Sequence, residues 1–324
     1  MRRTARIVVA AGFLGHLLFL PAAAEAGAPS GGKRIGPFVA DTLAEGIHLL
    51  RPLDPASERT NSLVVERDDG LLVVDAQPSP AAARELLEAL AQLTPKPLRF
   101  LVLSHPHADA AGGASAFPRD VLVIGSRGCR DALADAAYDF GAEAKRRAGD
   151  GWKEPARRLP VAVLSSTLLL DDPKRPVSIY PLPGTSVHSS GDLLVSVGDS
   201  GILAIGDLLF PSRALWVDGG NLGNWIGALN GILEQRPRIV APLRGPAEDP
   251  QELRLTRDAL AWVRGQVQEA FVDRIAPGIM PDRILESPEL ARHFDPRVPR
   301  PTVRAVIEQA VREMQEYRRT HGLG

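Results

Sequence analysis

Ser104-His105-Pro106-His107-Ala108-Asp109-Ala110-Ala111-Gly112-Gly113 is the stretch on which the fold turns. Two histidines stand one residue apart, and a carboxylate follows two positions later. The apolar run Leu101-Val102-Leu103 precedes them and reads as a buried strand. Open α/β sheets place their ligands beyond the carboxyl ends of such strands. An extended His-x-His aims two imidazoles at one point when the intervening residue turns away, and Zn²⁺ accepts such nitrogens as ligands. The two glycines are expected to let the chain turn tightly into a helix close to the site.

This segment resembles the His-x-His-x-Asp-x-x-Gly-Gly motif of the metallo-β-lactamase fold superfamily. Four other blocks are similar to that family, in the family's order. Residues 183–192, with His188, resemble the loop of its third histidine ligand. Gly206-Asp207-Leu208-Leu209-Phe210, after an apolar run, resembles the strand end that carries its metal-bridging aspartate. Residues 61–75 resemble the first hairpin, with Asp75 supporting a ligand from behind. Residues 239–246 resemble the last ligand loop. The resemblance covers residues 36 to 264. It implies an α/β fold, a four-layer αββα sandwich with a C-terminal helical extension, and His105, His107, His188 and Asp207 as metal ligands.

The chain departs from the family pattern at two positions. Histidine usually follows the motif aspartate, and here the residue is Ala110; the last loop usually carries histidine, and here it is Arg244. By the resemblance, both missing imidazoles belong to the second metal site, while His105, His107 and His188 complete the first. Three protein ligands plus water is a catalytic zinc arrangement. Without a second cation, Asp109 and Asp207 would repel in a dry cleft, and one would protonate. The guanidinium of Arg244 keeps its charge at any relevant pH and its fork fits a carboxylate. It is therefore expected to enter the vacated space and pair with Asp109 or Asp207.

The leading expectation is a secreted mononuclear hydrolase with one Zn²⁺ ion, Fe²⁺ being the alternative. The metal activates a water, and the catalytic Asp109 orients or deprotonates it. Asp207 serves as a ligand, as the partner of a ligand histidine, or as the anchor of Arg244. Arg244, Trp216 and Arg213 are the substrate-binding candidates, with Asn221 beside them on the rim of the cleft. The substrate is a small molecule with an ester, thioester, lactone or amide bond. The block 206–220 and the export signal are similar to those of periplasmic members associated with sulfur oxidation or quinoprotein systems. Two other readings stay open. His105, His188 and Asp207 could hold a single iron in a sulfur-oxidising enzyme. The losses at Ala110 and Arg244 also suit a non-catalytic member that binds a small molecule or a partner protein, since fold alone does not decide activity.

The 324 residues, 44% of them hydrophobic, suffice for a large core. A net charge of -1, no basic stripe and only 5% aromatics argue against nucleic acid as a partner. Arg2, Arg3 and Arg6 precede an apolar run over 7–20 that ends in Ala24-Glu25-Ala26. Residues 1–26 therefore read as a signal peptide for a periplasmic or secreted protein. The run is short for a membrane span and is broken by His16, so no stable membrane insertion is expected after cleavage. Residues 27–35 read as a flexible lead-in, 36–270 as the metallo-β-lactamase-like domain, and 271–324 as an irregular segment followed by a helix. The lone Cys129 forms no internal disulfide and reads as a small buried residue.

Strands are expected at 47–50, 62–66, 71–75, 98–103, 120–124, 177–180, 193–197 and 201–206, by apolar runs bounded by turn residues. Helices are expected at 80–93, where Ser79 caps and Pro80 opens the first turn, and at 130–147, 223–233, 251–271 and 303–319. Val303, Val306, Ile307, Ala310, Val311 and Met314 make one stripe on the last helix. It either docks on the core or forms a homodimer contact. Trp225 reads as core, and His48, His293 and His321 read as structural or surface groups.

Overall fold

Alternation along the strands sets the layers, because successive side chains point to opposite faces. The computed structural model describes residues 7–9, 32–141, 145, 153–184, 186–209, 220–296 and 298–322. Its strands are β1 (Ile7–Val9), β2 (Lys33–Ile35), β3 (Phe38–Ala44), β4 (Ile47–Pro52), β5 (Ser62–Arg67), β6 (Gly70–Val74), β7 (Leu98–Val102), β8 (Leu122–Ser126), β9 (Ala162–Leu164), β10 (Leu168–Leu170), β11 (Val177–Pro181), β12 (Leu193–Val197), β13 (Ile202–Gly206) and β14 (Ile239–Pro242). Its helices are α1 (Pro80–Leu93), α2 (Ala108–Ala111), α3 (Arg127–Ala134), α4 (Leu222–Glu234), α5 (Gln251–Val272), α6 (Met280–Leu285), α7 (Leu290–His293) and α8 (Arg300–Thr320).

Strands β2 to β9 form an eight-stranded sheet in chain order, and β1 with β10 to β14 forms a six-stranded one. The first sheet is antiparallel up to β6 and parallel from β6 to β9. The second is antiparallel except for the parallel pair β13–β14. Leu63, Val65, Leu72 and Val74 join Ile179, Val195 and Ala204 in the core between the sheets. Their neighbours Val64, Leu71 and Val73 face the other way, onto Leu86 and Leu90 of α1 and Leu133 of α3. On the far side, Leu194, Leu203 and Val240 pack against α4, α5 and α8. Helix, sheet, sheet and helix make the four-layer αββα sandwich that the resemblance implied.

Several expected boundaries are corrected. The helix expected at 130–147 is broken after Ala134, because Asp135 turns extended and its carboxylate accepts the Ala137 N–H in an Asx turn; Lys145 is helical again, and 142–144 and 146–147 lie outside the described residues. The end of the expected lead-in is not loose: Lys33–Ile35 pairs with β3 around Gly36. The stretch after residue 271 contains α6 and α7 and is less irregular than its prolines suggest. The stripe on α8 is buried against the chain's own core. Within the segment read as an export leader, Ile7–Val9 pairs with Leu168–Leu170 at the edge of the second sheet. Among the described residues, no helix is long and apolar enough to cross a membrane.

The two motif glycines serve a different purpose from the expected one. Gly112 and Gly113 have φ of -63° and -85°, which any residue adopts. They are needed for closeness: a Cβ on Gly112 would sit 2.1 Å from the Pro78 carbonyl oxygen, and one on Gly113 2.1 Å from that of Ala76. Backbone lines both contacts and cannot yield cheaply. Gly113→Ala is therefore expected to lower stability by about 1–3 kcal/mol, read as an earlier urea midpoint. An unchanged midpoint would refute the close-approach role.

Candidate metal centre

The parallel strands align their carboxyl ends, and the loops that leave them meet at one edge of the sandwich. After β6 comes Asp75, after β7 come His105, His107 and Asp109, after β13 comes Asp207, and after β14 comes Arg244. The loop between β11 and β12 adds His188. Backbone hydrogen bonds lock these loops to one another. Asp75 N–H donates to Val102 O at 2.8 Å, Leu193 N–H to Ser104 O at 2.7 Å, and Leu243 N–H to Gly206 O at 2.9 Å. The second of these spans the seam between the two sheets.

Three imidazoles converge there. Their ring centroids lie 4.9, 5.1 and 4.9 Å apart and each pair is close to perpendicular. One ring nitrogen from each of His105, His107 and His188 falls within 4.8 Å of the others. His107 Nδ1 faces His188 Nε2 at 3.1 Å. His105 Nε2 is buried with no hydrogen-bond partner. Trp225, fully buried on α4, packs edge-on against His188 at 5.4 Å and donates its indole N–H to Leu208 O. Three ring nitrogens turned toward one another, one of them buried with no hydrogen-bond partner, are the donor set that a borderline-soft cation fills. The residues fit a metal ion.

A short relay behind His105 sets its tautomer. Ser104 N–H and Oγ–H both donate to the Asp75 carboxylate, at 2.8 and 2.9 Å. With its proton so placed, Ser104 Oγ accepts from His105 Nδ1 at 2.9 Å. The neutral ring then carries its lone pair on Nε2, on the side of the other two imidazoles. Gly206 makes room for this relay. Its φ is +55°, and a Cβ there would press on Ser104 Oγ at 3.0 Å.

Arg244 takes the position that the sequence suggested for it. Buried in the site, it donates from Nη2 to Asp109 Oδ2 at 2.5 Å, and its Nε lies 4.0 Å from Asp207 Oδ2. His105, Asp109 and Asp207 also bring donor atoms within 4.8 Å of one another. Asp207 Oδ2 stands 4.0 Å from His188 Nε2. Asn61, to which sequence reasoning gave no separate role, braces the arginine loop: its Nδ2 donates to Pro242 O and Gly245 O at 2.8 and 2.7 Å. Gln77 and Thr60 complete the brace, Thr60 Oγ1 donating to Asp109 O at 3.0 Å. A lone buried Asn before a strand carries no sequence signal for such a contact.

Charge divides unevenly among these groups. Burial alone would lower His105, but Asp109, Asp207 and Asp75 outweigh it and raise its pKa to about 9. Burial, with the charge on His105, pushes His107 down to about 3 and His188 well below its ordinary value. Burial would raise Asp109, yet Arg244 and His105 hold it well below the usual carboxylate range. Burial lifts Asp75 to about 6. Without a metal, the centre is thus an imidazolium and a guanidinium around Asp109, with two neutral imidazoles beside them.

Other candidates fall elsewhere. Trp216 and Arg213 lie outside the described residues. Asn221 caps α4, its side chain accepting from Asn224 N–H at 2.8 Å. Cys129 is buried in the first turn of α3, where burial pushes its thiol up and away from reactivity. His293 stacks on Trp262, His48 meets Glu66, and His321 stacks on Tyr317, all away from the centre.

Removing the guanidinium tests the pair. Arg244→Met leaves Asp109 buried without its main partner, and is expected to cost the metal-free protein about 3–5 kcal/mol at pH 7. The lowered folded pKa of Asp109 means its contribution is complete above about pH 4 and is lost as pH falls through the folded value. The variant's penalty should therefore shrink at pH 4, where its less depressed Asp109 protonates first. Urea midpoints at both pH values check this; equal midpoints for variant and wild type at pH 7 would refute it.

The sequence profile of the metallo-beta-lactamase superfamily matches residues 57–260. A search of curated proteins finds no match. Among solved structures, the fold is similar to the stereoselective inverting sec-alkylsulfatase Pisa1 from Pseudomonas sp., with 16% identity and a TM-score of 0.67. That likeness covers 83% of this chain and 49% of the sulfatase, so the chain spans about half the sulfatase's length. It is also similar to a metallo-beta-lactamase from Pontibacter korlensis, with 20% identity, a TM-score of 0.55 and coverage of 69% of this chain and 99% of the other. A metallo-beta-lactamase from Hirschia baltica gives 21% identity, a TM-score of 0.52 and coverage of 68% and 96%. At these identities the structural likenesses speak for the fold alone. The profile match runs through the loops that bring His105, His107, His188 and Asp207 together, and this chain belongs to the metallo-beta-lactamase superfamily.

Proposed function

We propose that the chain is a mononuclear, zinc-dependent hydrolase, exported to the periplasm or beyond, that cleaves an ester, thioester, lactone or amide bond of a small molecule. The observation that carries this reading is the convergence of one nitrogen from each of His105, His107 and His188. These three residues would hold the ion. When bound, it would supply Lewis acidity and an activated water. The Arg2, Arg3 and Arg6 cluster ahead of the apolar run supports export.

The chain's own groups then have separable tasks. Ser104 and Asp75 hold His105 in the tautomer that offers Nε2. Asp109 is fixed by Arg244 through Oδ2, and its Oδ1 has no hydrogen-bond partner. That oxygen is placed to accept from a water. The depressed pKa of Asp109 makes it a poor proton acceptor at neutral pH, so its task is to orient the water rather than to deprotonate it.

Metal content and intact mass of the chain, purified from the export compartment without added metal, test the reading. The expected result is about one zinc per chain, lost in His188→Ala, with hydrolysis lost alongside it, on a chain shortened by its leader. Iron in place of zinc would move the reading to the sulfur-oxidising alternative. No metal in either protein would leave the non-catalytic binding reading in its place.

Zinc uptake should also move a proton. His105 is raised to about 9 and is therefore charged at pH 7, while ligation needs the neutral ring. Calorimetric titration in two buffers of different ionisation enthalpy should show about one proton released per ion at pH 7. Affinity should rise about tenfold per pH unit until pH passes about 9. Release of no proton would mean that His105 is already neutral before the ion arrives, and would overturn its raised pKa.

A further inference from the structure

Two donor groups share His105: one adds His107 and His188, the other Asp109 and Asp207. The second group already holds a cation. Arg244 reaches it from the loop after β14, with Nη2 on Asp109 Oδ2 at 2.5 Å and Nε 4.0 Å from Asp207 Oδ2. Its approach is built into the fold. Leu243 is pinned to Gly206 and to Asn61 through the backbone, and the Asn61 side chain grips the carbonyls on both sides of the arginine's segment. Ala110, fully buried beside Asp109, offers no donor atom of its own in its side chain.

We propose that the Arg244 guanidinium is a covalent replacement for a second metal ion, so that the loaded centre takes a single ion and Asp109 and Asp207 serve as counter-ions of the arginine. This rests on the metal-binding reading above and refines it. A guanidinium supplies the positive charge that two buried carboxylates need, and it cannot be lost to a chelator or to acid. It also repels a dication from the oxygen it holds. In physical terms Arg244 puts a permanent cation where an exchangeable one could sit.

The test is metal stoichiometry, read independently of activity. The full chain is stripped with chelator and dialysed against Co²⁺, and bound cobalt is counted by atomic absorption. The wild type is expected to saturate at a single ion with an uncoupled electron paramagnetic resonance signal. Arg244→Lys keeps the charge and should also stop at one. The double variant Ala110→His with Arg244→His restores two donors, removes the permanent cation, and should take a second ion whose spin couples to the first. A second ion on the wild type or on Arg244→Lys would overturn the proposal. So would a single ion on the double variant, provided its circular dichroism matches that of the wild type. If the double variant does not fold, the first two proteins still decide. No cobalt on the wild type would bring down the metal-binding reading itself, an outcome distinct from two ions, which leaves that reading standing.

Discussion

Buried carboxylates need buried cations, and the edge of this sandwich is organised around that requirement. Asp75, Asp109 and Asp207 are almost wholly withdrawn from water. Left alone, each would either pay a desolvation cost of several kcal/mol or protonate. Instead Arg244 holds Asp109, and His105 faces Asp109 with its Nε2 3.4 Å from Oδ1. Asp75 is met by two donors from Ser104, yet burial still lifts its pKa to about 6. The same carboxylates hold charge on His105, while burial and that neighbouring charge keep His107 and His188 neutral.

This balance depends on loops that local structure alone would not fix. The parallel strands β6, β7 and β8 put their carboxyl ends in register, and the parallel pair β13–β14 does the same in the other sheet. The two halves are then fastened across the seam by Leu193 N–H on Ser104 O and by Asn61 on the loop after β14. Close backbone packing at Gly112 and Gly113 seats the His-x-His loop against residues 76–78. Loops fastened this way bring the donors together before any ion arrives, which lowers the ordering cost of ligation.

Part of the chain's architecture is written locally. Apolar runs bounded by turn residues marked the strands next to the centre, and Ser79-Pro80 marked the start of α1 to the residue. Short or amphipathic elements were less legible. Strands β2, β9 and β10 are three residues each, too short for a period to show, and pairing with neighbours sustains them. The helix expected across Asp135 has the right composition, but an Asx turn there competes with it and breaks it after Ala134.

The sequence by itself determined which donors exist and in what order: three histidines and two aspartates, with an arginine and an alanine where the family resemblance implies further imidazoles. That is enough for the family and for the expectation of one intact ligand set, because ligand chemistry depends on residue type and on short spacings. Only the tertiary structure decided what those residues touch. Arg244 is 135 positions from Asp109 and could have faced solvent; Asn61 is 181 positions from the carbonyl of Pro242 that it holds. Contacts at such separations are set by which strand ends share an edge and by angstrom-scale burial, and no periodicity along the chain encodes either.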